Sequence, residues 1–241
     1  LYSDPTGDKG REEIAMKRNP KGAWEVTVPG DLEGKHYRYK ITNARGTNEV
    51  NDPEATNTTG DDGHARITDV RAQDPGGFRP VRRPAYGNSP TDAVIYEISV
   101  YDFTSDPASG VAAEKRGKFS GFAERIDHLK ELGVTHVQLM PLQDFDNDES
   151  NPEYGWGYMT SFFNSPDGWF ASDFRDASRV REYKELVKTL HDADIGVVMD
   201  VVYNHTGTQA TFELVAPGYY HRLREDGSFY NGSGTGNEFR S

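Results

Sequence analysis

The amino-acid sequence predicts an α/β protein, with an N-terminal β-sandwich followed by the first three β/α units of a (β/α)8 TIM barrel. Residues 1–80 contain short runs of aromatic and β-branched residues, which are typical of strands. After residue 92, strand-sized and helix-sized patterns alternate, as they do in proteins with a parallel sheet. Residues 81–92 close a segment rich in proline and glycine and are assigned to a linker. Residues 93–241 are then assigned to the barrel.

Three runs of residues predict the strands of the sandwich. They are WEVTV (24–28), HYRYKI (36–41) and ARITDV (65–70), and the segment PGDLEGK between the first two supplies turn residues. Short strands joined in this way form antiparallel sandwiches. Trp24 stands among strand-forming residues and is expected in the core of the sandwich.

The first β/α unit begins with VIYEISVYDF (94–103), an alternating run rich in β-branched and aromatic residues. Apolar residues then recur at helical spacing over 122–132. Gly133 follows at the position where helices commonly end in a left-handed residue. The run VTHVQLM (134–140) predicts the second strand.

The second helix is predicted by apolar residues at helical spacing, namely Val180, Tyr183, Val187 and Leu190. Ser178 is the expected N-cap, and Gly196 lies just past the expected end of the helix. The run IGVVMDVVY (195–203) predicts the third strand. Strands and helices in this order predict right-handed βαβ units and a parallel sheet.

Two parallel architectures are compatible with this order of elements. A dinucleotide-binding fold needs G-x-G-x-x-G directly after its first strand, and the segment DFTSDPASG at that place lacks it. A (β/α)8 barrel fits better, because the segment after the second strand, 142–177, is far longer than an ordinary connection and barrels build their active sites from such loops. A full barrel needs about 250 residues, so the sequence is expected to end near its third unit.

Composition excludes several classes of function. The 241 residues carry 27 basic and 39 acidic side chains, and the formal net charge of −12 argues against a nucleic-acid partner. The absence of cysteine excludes disulfides, cysteine–zinc sites and thiol nucleophiles. No apolar run approaches the ~20 residues of a membrane span, so no membrane partner is expected. The sequence begins at Leu1 without an initiator methionine, and we expect a fragment whose cellular location stays open.

Polar residues at the predicted strand ends are the candidates for a site. Asp102 follows the first strand, and Asp200 and His205 accompany the third. Between the second and third strands, YGWGYMTSFFNSPDGWF (154–170) offers flat aromatic faces beside polar groups, a combination that suits a sugar. The alternative is a cluster of aromatic side chains packed beneath the loop.

Other chemistries have weaker signals. The acidic run DFDNDES (144–150) resembles the start of a calcium loop, but it lacks the glycine and the final glutamate of that motif. A solvated acidic loop is therefore expected there. The histidines show no H-E-x-x-H spacing, and no G-x-S-x-G elbow is present. Asp200 alone, on a buried strand, is more typical of a structural residue than of a catalyst.

The motif DVVYNHT (200–206) resembles the D-x-x-x-N-H motif of the α-amylase superfamily, glycoside hydrolase family 13. The two predicted strands before it resemble the first and second barrel strands of that superfamily. The run YGWGYMTSFF resembles the Y-N-W-G-Y-D-P signature of type I pullulanases, with Gly155, Met159 and Thr160 as departures. The segments around 22–41 and 51–55 resemble the starch- and glycogen-binding module of family 48. In such a module Trp24 would be a sugar-stacking residue, which is the alternative to its expected place in the core.

The resemblance implies a role for five residues. Tyr158 would stack on the glucose at subsite −1, His205 would hydrogen-bond the hydroxyls of that glucose, and Trp156 would wall the cleft. Asp200 would be a buried structural carboxylate that takes no proton. Asn204 would brace the loop and is a possible Ca²⁺ ligand, although no cofactor is required.

The resemblance also implies a retaining glycoside hydrolase that acts on α-glucans. The pullulanase-like signature favours hydrolysis of α-1,6 linkages. Its nucleophile and its acid/base would follow strands 4 and 5 and would lie beyond Ser241, so no catalytic residue is expected within the chain. An α-1,4-glucan branching enzyme or an α-amylase is the alternative within this class. A non-catalytic protein that binds α-glucans is the alternative from another class.

Overall fold

The structure is a computed structural model that describes residues 1–59, 63–79, 84, 89–207 and 210–240. Most of the predicted linker, residues 81–83 and 85–88, lies outside this description. Just after it, Ser89 caps a short 3-10 turn over Pro90–Asp92. In the part of the chain that is described, no helix has the length and the apolar character needed to cross a membrane.

The N-terminal part is built from short antiparallel strand pairs. Its strands, within the described residues, are β1 (Lys17–Arg18), β2 (Trp24–Glu25), β3 (His36–Tyr37), β4 (Tyr39–Asn43), β5 (Gly46–Val50) and β6 (Ala65–Arg66). The pairs are β1 with β2, β3 with β6, and β4 with β5. The three predicted runs all contain strands, although shorter ones than expected. The strand β5 was not predicted, because GTNEV has no aromatic residue and contains Gly46, Asn48 and Glu49, residue types that are depleted in strands.

Trp24 does not lie in a core, and the expectation for this residue was wrong. Its side chain is 62 % exposed and lines a cleft of about 1270 Å³ together with Met16 and Tyr39. The physical reason is the pairing of β2, which joins only the two-residue strand β1 in the described part of the sheet. No second layer therefore covers the indole.

The second part contains the predicted parallel sheet. The strands β7 (Ile95–Ile98), β8 (His136–Leu139) and β11 (Gly196–Met199) lie in the order β7–β8–β11, and every pair is parallel. Alternate residues of β7 and β8 point to opposite faces. One face, with Ile98, Val137 and Leu139, packs into the hydrophobic core beneath the helices. The opposite face carries Glu97 and Gln138, which are hydrogen-bonded to each other at 3.0 Å.

The helices of the second part, over the described residues, are α1 (Asp102–Ser105), α2 (Phe119–Ala123), α3 (Ile126–Glu131), α4 (Ser178–Asp192) and α5 (Ala210–Val215). The single helix expected over 122–132 is thus two short helices. Gly133 follows α3 with φ +74°, and this end of the helix is confirmed.

The ends of α4 differ from the prediction. Ser178 is its first residue and not its N-cap, because the carboxylate of Asp176 accepts the N–H of Ser178 at 2.6 Å. The chain reverses after α4 through Asp194, at φ 60°. Gly196 already belongs to β11, where a Cβ atom would lie 2.2 Å from the ring of His136. A glycine is therefore needed at position 196 because β8 packs closely there, and not because the helix ends there.

The long segment 142–177 is more ordered than predicted. It contains an antiparallel hairpin of β9 (Gln143–Phe145) and β10 (Thr160–Pro166), followed by a 3-10 turn at Gly168–Phe170. Its acidic run is only in part the solvated loop that was expected, since Asp146 and Asp148 are exposed but Asp144 is fully buried and Glu149 nearly so. The correction has a simple cause, because a buried arginine from α4 pairs with both buried carboxylates.

Candidate functional site

The carboxyl ends of the parallel strands are occupied by two tyrosine–carboxylate pairs. Tyr158, just before β10, donates a hydrogen bond from its hydroxyl to Oδ2 of Asp200 at 2.9 Å, directly after β11. Partial burial, followed by this contact with the carboxylate, raises the pKa of Tyr158 to about 12. The phenol is therefore a fixed hydrogen-bond donor at neutral pH.

The second pair is part of an exposed aromatic wall, which consists of the side chains of Tyr154 and Trp156. Tyr154 donates its hydroxyl proton to Oδ2 of Asp102 at 2.8 Å, and Trp156 donates from Nε1 to the hydroxyl oxygen of Tyr154 at 3.0 Å. The two aromatic side chains are 56 % and 61 % exposed. They line a cleft of about 710 Å³ that also contains Tyr158. The wall is thus held by hydrogen bonds while its ring faces remain accessible.

His205 lies on the segment that follows β11. Its imidazole is buried, and Nδ1 lies 2.5 Å from the side-chain oxygen of the exposed Asn204. The segment is fastened to the hairpin by the N–H of Gly207, which donates to the carbonyl oxygen of Thr160 at 2.8 Å. The strand-end segment with His205 and the hairpin that follows Tyr158 are therefore neighbours.

Asp200 is half-buried, and the expectation of a buried carboxylate was wrong in this respect. It lies one residue past Met199, the last paired residue of β11, where the chain leaves the sheet. Its Oδ2 accepts the hydroxyl of Tyr158 at this point.

A buried charged cluster is made of Asp144, Glu149, Asp167 and Arg179, and its first two members precede the aromatic wall in the chain whereas the last two follow it. Arg179 has no exposed surface, and its two terminal nitrogens each lie 2.7 Å from an oxygen of Glu149. Asp144 Oδ2 lies 3.4 Å from the same guanidinium and also accepts the hydroxyl of Thr58. The cluster thereby joins α4 to both ends of the segment that carries the aromatic wall.

The charges of this cluster do not balance, because three carboxylates surround one guanidinium. Burial, followed by repulsion from Glu149, raises the pKa of Asp167 to about 7. The same two effects, in the same order, raise the pKa of Asp144. Around Asp167 three donors converge, the N–H groups of Phe145 and Trp169 and the side-chain amide of Asn147.

Calcium binding at Asn204 stays a prediction. Among the residues that the structure describes, no group of three or more histidine, aspartate or glutamate side chains could hold a metal ion. The side-chain oxygen of Asn204 is already engaged by His205. No step proposed below depends on a calcium ion.

The arrangement can bind a flat polar ligand between hydrogen-bonding groups and an aromatic wall. Sequence patterns pointed to Tyr158, Trp156, Asp200 and His205, but they did not indicate the charged cluster. Arg179 occupies an ordinary polar position in a helical pattern, and only its burial distinguishes it. The pairing of Tyr154 with Asp102 was missed for a similar reason, since 52 residues separate the two.

Two family models match the chain. The first is described as alpha amylase, catalytic domain, and matches residues 56–221. The second is described as carbohydrate-binding module 48 (isoamylase N-terminal domain) and matches residues 3–55. Together they account for both the N-terminal strand pairs and the parallel sheet.

Several proteins are similar to this chain over nearly its whole length. Pullulanase A of Streptococcus pneumoniae is 33 % identical over 95 % of this chain, which spans 21 % of that protein. The pullulanase of Bacillus subtilis is 34 % identical over 97 % of this chain and 34 % of its own length. The crystal structure of a pullulanase from Paenibacillus barengoltzii with maltohexaose and α-cyclodextrin superposes with a TM-score of 0.92, at 37 % identity, over the whole of this chain and 40 % of that one. The chain thus spans about a fifth to two fifths of the relatives it matches.

Proposed function

The chain belongs to the alpha-amylase catalytic-domain family, with a carbohydrate-binding module of family 48 before the barrel, and we propose that the whole protein hydrolyses α-1,6 linkages of α-glucans. Pullulan, starch and glycogen are the proposed substrates. The relatives named pullulanase support this choice of linkage over α-amylase and branching activities.

One observation carries the proposal, namely the hydrogen bond between Tyr158 and Asp200 at the carboxyl ends of the barrel strands. It fixes the ring of Tyr158 beside the cleft, and we propose that this ring stacks on the glucose unit at subsite −1. Trp156 would wall the cleft, and His205 would hydrogen-bond the hydroxyls of the same glucose. Carbohydrate rings combine apolar C–H faces with hydroxyls, which matches aromatic rings flanked by fixed polar groups.

The proposed reaction is a double displacement with retention at the anomeric carbon. Such a reaction needs a nucleophile and an acid/base about 5 Å apart. Asp102 and Asp200 each accept a tyrosine hydroxyl and are proposed to orient the site without transferring a proton. The nucleophile and the acid/base are proposed to belong to later strands of the barrel, after residue 241. The described residues would bind and orient the glucan for them.

The test uses the whole protein expressed from its complete reading frame, with pullulan as substrate. Reducing ends should appear with maltotriose as the product, because cleavage at α-1,6 linkages releases that unit. We expect Tyr158→Ala to lower kcat/KM at least tenfold, and we expect the exposed Tyr219, which lies outside the cleft, to tolerate the same change. Products of α-1,4 cleavage, transfer without hydrolysis, or binding without turnover would each replace the proposed function by one of its alternatives.

A further inference from the structure

A buried relay of hydrogen bonds begins at Thr206, the residue that follows His205. The hydroxyl of Thr206 lies 3.1 Å from Nε2 of His221, and Nδ1 of His221 lies 3.2 Å from Oε1 of Glu213. All three side chains are buried, and His221 is only 1 % exposed. A carboxylate only accepts, so Nδ1 of the neutral imidazole carries the proton, and Nε2 accepts from Thr206.

The backbone of Thr206 is held from the other side. The side-chain oxygen of Asn237 accepts the N–H of Thr206 at 3.0 Å, and its amide nitrogen donates to the carbonyl oxygen of Thr206 at 2.8 Å. Asn237 is fully buried. One residue beside His205 is therefore fixed at its N–H, its carbonyl and its hydroxyl at once.

The relay also reaches the binding module. Glu213 lies on α5, and Arg45 in the turn of the β4–β5 hairpin approaches its carboxylate at 3.6 Å. Asn43 in the same hairpin donates from its side-chain nitrogen to the carbonyl of Leu214 at 2.6 Å. The final carbonyls of a helix lack partners within the helix, so the side chain of Asn43 supplies a donor to the last turn of α5.

Nucleophilic catalysis by this relay is not supported by its burial. A hydroxyl, an imidazole and a carboxylate in sequence resemble a catalytic triad. However, Thr206 has no exposed surface, so no substrate atom can approach its oxygen. The order of contacts, from the module through α5 to the neighbour of His205, suggests a role in positioning.

We propose that Thr206, His221 and Glu213 are positioning residues that hold His205 in its orientation toward the glucan, and that the β4–β5 hairpin of the binding module holds this relay in place through Asn43 and Arg45. The role of His205 in binding glucan rests on the proposed function. The orientation of its ring does not, and can be measured by itself.

The first test compares Thr206→Val with Thr206→Ser in the whole protein. Valine keeps the shape and removes the hydroxyl, whereas serine keeps the hydroxyl. We expect Thr206→Val to shift the imidazole NMR signal of His205, assigned through His205→Gln, and to lower kcat on pullulan about tenfold, as small misplacements of a positioned group do. Thr206→Ser should restore both. Unchanged signals and kcat in a folded Thr206→Val protein would overturn the proposal.

The second test addresses the link to the module and does not disturb the buried relay. Asn43→Ala removes the contact with α5, and Lys40→Ala in the same hairpin removes a cation that pairs with Glu13 instead. We expect only Asn43→Ala to shift the signal of His205 and to lower kcat/KM about threefold, by a coupling of modest size. An equal effect of both changes, or of neither, would overturn the link.

The two proposals fail differently. If the unsubstituted protein neither cleaves pullulan nor binds maltotriose, the proposed function fails, whereas the NMR signals still decide whether the relay orients His205. If pullulan is cleaved and the NMR signal of His205 shifts in neither Thr206→Val nor Asn43→Ala, the positioning role is wrong and the proposed function is unaffected. Should Thr206→Val not fold, the change Asn43→Ala, at a half-buried position of the hairpin, gives the decision.

Discussion

In the segment 144–167, two acidic side chains are fully buried and two aromatic side chains are exposed, which is the reverse of the usual distribution. The carboxylates Asp144 and Asp167 have no exposed surface, whereas Tyr154 and Trp156 are mostly exposed. Charged side chains are rarely buried unless they are paired, and large aromatic rings are rarely left in solvent without a reason. The buried charges are paired with Arg179 and backbone donors, and the exposed rings border a cleft.

The difference shows a division of labour within one segment. The buried cluster fixes the path of the chain, and this rigid path presents the aromatic wall to a ligand. Substitutions in the cluster should therefore change stability first, and substitutions in the wall should change binding first. The predictions that follow probe this contrast.

The largest effect is expected from Glu149→Gln. It removes the charge that both terminal nitrogens of Arg179 contact and leaves a buried guanidinium without its main partner. Breaking a buried ion pair in this way costs about 3–5 kcal/mol of the free energy of unfolding. Urea unfolding of the whole protein measures it.

The control for this change is Glu153→Gln, which alters an exposed carboxylate of the same segment. It should stay within about 0.5 kcal/mol of the unsubstituted protein. Equal stability of the two variants would show that the cluster does not fix the segment.

The next effect is a pH dependence of stability. The pKa of Asp167 is about 7 in the folded protein and near 4 in an unfolded chain, so between these values the folded state holds a proton that the unfolded state has lost. The free energy of unfolding should thus fall as pH rises from about 4 to about 7, by at most about 1.4 kcal/mol per pH unit for this one group. Unfolding curves at several pH values measure the slope.

A substitution at Asp167 isolates the contribution of this carboxyl group to the pH dependence of stability. Asp167→Asn should flatten the slope, and Asp146→Asn, at an exposed position, should leave it unchanged. An unaltered slope in Asp167→Asn would mean that Asp167 is ionised in the folded protein throughout this range.

A smaller effect is expected from the wall. Trp156→Ala removes an exposed ring that one hydrogen bond to Tyr154 holds in place. We expect the affinity for maltotriose to fall about tenfold, which corresponds to ~1.4 kcal/mol, while the unfolding midpoint stays nearly constant. Calorimetric titration measures the affinity. A large loss of stability with unchanged affinity would reverse the proposed division of labour.

The smallest effect on stability is expected from Trp24→Ala. An exposed side chain away from caps and buried pairs contributes within about 0.5 kcal/mol, and Trp24 is mostly exposed in the cleft of the module. A loss of several kcal/mol in urea unfolding would instead support the original expectation of a core tryptophan.

The fold class could be predicted from the sequence because it depends on local patterns. Alternating residues at 94–103 and helical spacing before Gly133 fix strand and helix without knowledge of distant partners. The observed parallel sheet and the two family matches confirm the predicted class. Helix ends were less well predicted, since Asp194 reverses the chain where Gly196 was expected to follow the helix.

The site was predicted only in part, for a physical reason. The motif DVVYNHT and the aromatic run named Asp200, Tyr158 and His205 as candidates, because residue type and order are local properties. That Tyr158 meets Asp200 across 42 residues, or that Arg179 meets Asp144 across 35, is decided by how the chain packs. An acidic run in a sequence is the same whether solvent or a buried guanidinium surrounds it, and only the tertiary structure supplies the partner that makes burial stable.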